Sequence, residues 1–98
     1  MTSLYTQQGD LLLFAVDSVK GEVVNTNLVH KGQSHHHRIE GDYKIYMDRE
    51  DMYIEAIGDC ILFHEEHKDC LVPGMGAYKK RIVLEYDHFL EESKEVID

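Results

Sequence analysis

The chain contains no tryptophan, one proline and two cysteines, and its apolar residues never run long. The longest uninterrupted apolar stretch, residues 11–16, is six residues, against the ~18 that a membrane-spanning helix requires. A membrane protein is therefore not expected. Cys60 and Cys70 lie ten positions apart and form no C-x-x-C pair, which removes zinc knuckles and dithiol redox motifs. The first residues show neither a basic segment nor an apolar one, so the expectation is a cytoplasmic protein with free thiols. Each cysteine reads as a small buried hydrophobe. A glycine-rich phosphate loop and a G-x-S-x-G elbow are also missing.

Positive charge is scarce as well. Ten Lys and Arg stand against nineteen acids, a net charge of −9, and only Lys79-Lys80-Arg81 forms a basic run. A duplex nucleic-acid binder presents a basic stripe that displaces counterions from phosphates. Neither duplex nucleic acid nor an anionic membrane surface is an expected partner. A small-molecule ligand, a protein partner, or a second copy of the chain joined through exposed strand edges remains.

What the sequence does contain is short strands between turn residues. Ninety-eight residues make one domain, 1–98, that buries roughly 65% of its unfolded surface. Residues 11–16 are apolar on both faces and read as a central strand. Strands are also expected over 22–30, 35–39, 43–47, 52–57 and 60–64, with turns at Glu40-Gly41-Asp42 and at Gly58-Asp59, the latter a type II′ hairpin. Residues 77–86 alternate best, with Tyr78, Lys80, Ile82, Leu84 and Tyr86 on one face. The end of the chain, 88–96, reads as a short helix or a frayed tail. The fold class is all-β: a small antiparallel barrel or sandwich, with a short C-terminal helix as its one helical option.

Histidine is the informative residue. Five of the seven fall in two groups, His35-His36-His37 and His64/His67. On a strand His35 and His37 share a face with Ile39, while His36 and Arg38 point the other way. Two imidazoles so placed can both reach one ion at about 2.0–2.1 Å. His64 and His67 converge only if the chain turns at Glu65-Glu66. Such donors suit zinc, iron, nickel or copper. In that reading His35, His37 and His67 are ligands and His64 is a fourth ligand or a proton shuttle. Glu66 or Glu40 is the base toward a metal-bound water. His30, His36 and His88 read as ordinary residues. A cysteine–histidine nucleophile finds no support, since Cys60 and His64 stand about 13 Å apart at strand rise.

The order of motifs resembles a group of small prokaryotic and phage proteins. It is carried by Gln8-Gly9-Asp10, by residues 34–39 around the histidine run, and by His64-Glu65-Glu66-His67. Leu71-Val72-Pro73-Gly74, Gly76-Ala77-Tyr78 and Glu85-Tyr86-Asp87 complete it. The resemblance covers most of the chain and implies His35, His37, His64 and His67 as one constellation, but no activity. Ser34 stands where that pattern has glycine, and residues 82–84 replace a basic stretch. His35, His37, Glu40 and a later histidine also resemble the metal-binding order of cupins, with the glutamate placed too early. Three functions stay open: a metal-dependent hydrolase of a small molecule or nucleotide, a phage or mobile-element binding module, and a metal-free histidine acid–base enzyme.

Overall fold

The computed structural model describes residues 3–32, 35–82, 84–87 and 92–95. Its strands are β1 (Ser3–Gln8), β2 (Leu11–Val16), β3 (Glu22–Val24), β4 (Leu28–Lys31), β5 (His36–Asp48), β6 (Asp51–His64), β7 (His67–Val72), β8 (Gly76–Ile82), β9 (Leu84–Asp87) and β10 (Glu92–Glu95). All pairings are antiparallel, which makes the fold all-β. Eight strands form one sheet in the order β1-β2-β8-β6-β5-β3, with β4 added to β5 and β7 to β6, while β9 and β10 pair with each other. No helix among the described residues is long and apolar enough to cross a membrane.

The long β5–β6 hairpin organises the sheet. Its open half carries β4 and β7 on its flanks, and its turn half carries β3 and β8. The two halves meet at an irregularity. Gly41 pairs with Cys60 and Tyr43 with Ala56, so Asp42 faces residues 57–59. The expected turns at residues 40–42 and 58–59 are therefore not turns. They lie opposite each other inside one hairpin and form a bulge at which both strands bend. Glycine is required there: Gly41 has φ 128, and a Cβ on it would stand 2.8 Å from the Asp59 carbonyl oxygen. The two-residue loop that opens on glycine is instead Gly9-Asp10, where Gly9 has φ 60.

Bending places the two halves over a common core. Leu11 and Leu13 of β2, Val29 of β4, Ile39 and Ile45 of β5, Ile54, Cys60 and Leu62 of β6, Val72 of β7 and Tyr78 of β8 make one buried cluster. These are alternate positions on their strands, as one-sided burial demands. The sheet is not closed into a barrel. β1 and β7 approach without a backbone ladder. They are stitched by the Tyr5 hydroxyl on the Leu71 carbonyl, 2.8 Å, and by the Gln8 amide on the Lys68 carbonyl, 2.8 Å.

Three further expectations change. The strand expected over 22–30 is two strands, β3 and β4, interrupted at Asn25-Thr26-Asn27. The strand expected over 77–86 is divided between β8 and β9, with residue 83 outside the described residues. The C-terminal helix is not found where residues are described: Glu92–Glu95 is a strand paired with Leu84–Asp87. A nine-residue helix is below the ~12–15 residues that hold without packing, whereas a neighbouring strand satisfies the backbone directly. The rest of 88–96 lies outside the described residues.

Backbone geometry yields a stability prediction. Arg49, in the β5–β6 turn, has φ 60. That conformation costs a side-chain-bearing residue ~1–2 kcal/mol, and glycine's added chain entropy costs ~0.5–1. Arg49→Gly is expected to raise stability by about 0.5–1 kcal/mol in urea unfolding. Gly41→Ala is expected to lower it by about 2 kcal/mol or more.

Candidate functional site

The two histidine groups meet at one end of the core. β6 ends at His64, Glu65-Glu66 form a two-residue turn, and β7 begins at His67, with His64 and His67 paired in register. Directly opposed residues share a face, so the H-x-x-H pair converges. β5 enters beside it with His37 pointing inward next to Ile39, and His35 stands just before the strand. The rings form a continuous series. Centroids are 5.6 Å apart for His35–His64, 4.4 Å for His37–His64, 4.6 Å for His64–His67 and 6.2 Å for the stacked pair His37–His67.

Three residues join the cluster that the sequence reading left without a role. His30, read as ordinary, sits opposite His37 on β4, its ring 5.9 Å away. Gln8 ends β1, Asp10 is the second residue of the β1–β2 turn, and both are buried. His37 is fully buried, at 0% exposure, between them. Its Nδ1 is 2.9 Å from Gln8 Oε1 and its Nε2 is 3.3 Å from Asp10 Oδ1. The second Asp10 oxygen lies 3.7 Å from His30 Nε2. The visible signal for these residues was the Gln8-Gly9-Asp10 motif, two polar side chains spaced around a glycine turn just before an apolar strand.

The outer end of the cluster is charged. His35, whose side chain is 29% exposed, has Nδ1 2.5 Å from Glu65 Oε2 and Nε2 3.3 Å from Glu66 Oε1. The hydrogen bond from His35 holds the Glu65 carboxyl below its ordinary value of 4.5. The charges of His35, His64 and Arg38 act in the same direction, against partial desolvation. The Glu66 backbone N–H donates to His64 Nδ1 at 3.0 Å.

Of the residues expected to carry chemistry, His35, His37, His64, His67 and Glu66 are brought together. Glu40 is not: it is exposed on β5, two positions from Arg38 on the face turned away from His37 and Ile39. His88 lies outside the described residues. Both cysteines are free thiols. Cys60 is buried, donates to the Asp42 and Gly58 carbonyls at 3.3 Å, and has its thiol pushed up by desolvation. That is the opposite of what a nucleophilic thiolate needs.

A transition metal needs three or four lone pairs aimed at one point. No group of three or more His, Cys, Asp or Glu side chains among the described residues is disposed in that way. The ring nitrogens show why. Both nitrogens of His37 face Gln8 and Asp10, both nitrogens of His35 face glutamates, and His64 Nδ1 takes a backbone N–H. The four histidines form one cluster of rings in contact.

Two expected outcomes follow from this geometry. His37→Leu strands Gln8 and Asp10 in the core and is expected to lower stability by about 3 kcal/mol, whereas Glu40→Gln is expected to change it by less than about 0.5; urea unfolding compares them. Because the Glu65 carboxyl is depressed on folding, its pairing stabilises above the unfolded value of 4.5 and is lost as pH falls through the lower folded value. The Tm difference between wild type and Glu65→Gln is therefore expected to be small at neutral pH, since the pair is solvent-screened, to fade as pH falls below about 4.5, and to vanish once pH is below the lower folded value.

No curated protein and no solved structure matches the chain. A family model does, over residues 7–82, a span that runs from the Gln8-Gly9-Asp10 turn to the end of β8 and includes every histidine of the cluster. The chain thus belongs to the family described as a domain of unknown function, DUF8820.

Proposed function

We propose that the histidine cluster is a metal-independent acid–base site that exchanges a proton with a small molecule at its outer end. One observation carries this reading. The imidazoles are paired with carboxylates and an amide, Asp10 and Gln8 on His37 and Glu65 and Glu66 on His35, and touch one another ring to ring. Carboxylate–imidazole pairs move protons, because a carboxylate orients the ring and stabilises its charged form. His35 and His67 are half-buried and meet the ligand; His64 and His37 lie behind them. Glu66 orients His35. The carboxylates at the rim favour a neutral or cationic ligand over an anion.

The competing reading, a divalent metal (zinc, iron or nickel) on His35, His37, His64 and His67, is decided by the same experiment. Protein purified without a His tag or nickel column is analysed for metals and melted with and without chelator. The expected result is no stoichiometric metal and a Tm indifferent to chelator and to zinc. One equivalent of bound metal, with a Tm that falls on chelation, would overturn the acid–base reading in favour of the metal one.

A further inference from the structure

We propose that the Gln8-Gly9-Asp10 turn is a clamp that positions His37 by fixing which of its ring nitrogens carries a proton. The argument begins with the orientation of the Gln8 amide. Its Nε2 lies 3.0 Å from the Leu62 carbonyl oxygen and 2.8 Å from that of Lys68. Carbonyl oxygens only accept, so the NH2 group occupies that end. The end facing His37 Nδ1 at 2.9 Å is then the amide oxygen, also an acceptor. Nδ1 must therefore carry the proton. Turning the amide over would set its oxygen against two carbonyls in a site where Gln8 is only 2% exposed, at a cost of about 1–3 kcal/mol per unsatisfied group.

Asp10 holds the other side of the ring. Its Oδ1 is 3.3 Å from Nε2. A carboxylate and a bare ring nitrogen are both acceptors, so one proton lies between them, held on either atom. Gly9 lets two side chains grip both ring nitrogens: its φ of 60 makes the two-residue Gly9-Asp10 turn, in which only Gly9 stands between Asp10 and Gln8, the last residue of β1. Gln8 and Asp10 are thus positioning residues. Nδ1 is sealed by an amide that does not titrate, and the ring's exchangeable edge is Nε2, which faces Asp10 and, beyond it, His30. The use of that edge in proton transfer rests on the acid–base reading. The clamp itself does not.

The test is ring nitrogen–proton correlation NMR on the full-length, uniformly labelled, metal-free protein. Wild type is expected to show His37 protonated at Nδ1. In Gln8→Leu, the His37 Nδ1 resonance is expected to move toward the position of an unprotonated nitrogen, with His35 and His67 unchanged. In Asp10→Asn, Nδ1 stays protonated and the change appears at Nε2. A wild-type spectrum with Nδ1 unprotonated, or a Gln8→Leu pattern for His37 identical to wild type, overturns the clamp. If Gln8→Leu does not fold, the wild-type and Asp10→Asn spectra decide. Metal binding would defeat the acid–base reading without altering the result for the metal-free protein, so the two failures are distinguishable.

Discussion

A buried polar layer at one end of an otherwise apolar core imposes the strictest constraint on this molecule. Gln8, Asp10, His37 and His64 are all nearly inaccessible to water. Each such group is costly unless its donors and acceptors find partners inside the protein. The partners come from the β1–β2 turn, the end of β6 with the turn that follows it, the start of β7, and the start of β5. Satisfying the layer therefore holds four regions of the chain in one arrangement. Leucine and isoleucine packing elsewhere is more permissive, because apolar contacts have no direction.

The same layer explains how a small chain supports a chemical site. The apolar cluster below it supplies a rigid floor, and the bend at Gly41 turns the open half of the β5–β6 hairpin so that β7 and β4 arrive beside the β1–β2 turn. Polarity is graded outward. An amide and a carboxylate hold the deepest ring, and two exposed glutamates hold the shallowest. The long acidic excess of the chain is thus put to local use at Asp10, Glu65 and Glu66, where carboxylates meet imidazoles.

Much of this was legible in the sequence, though unevenly. Residues 11–16, apolar on both faces, are an interior strand, and the alternation at Tyr78, Lys80 and Ile82 belongs to β8. The turn between His64 and His67 could be argued from residue type, since two glutamates between opposed histidines fit a tight loop. Glycine was misread at Gly41 and Gly58, because a bulge and a turn require the same conformational freedom and local sequence does not distinguish them. Gln8, Asp10 and His30 were missed for a different reason. Their role arises from contacts with His37 across 29, 27 and 7 positions of chain, and periodicity carries no information about such pairings.

The seam between β1 and β7 has a consequence for access to the interior. A continuous ladder of backbone bonds opens only cooperatively, whereas a seam of isolated side-chain stitches parts one stitch at a time, in the manner of local rather than global unfolding. The Tyr5 and Gln8 stitches lie on this line, and the inner one also orients His37. Breathing of the molecule along this seam is therefore coupled to the state of its deepest imidazole: whatever loosens the seam at Gln8 also frees that ring to turn.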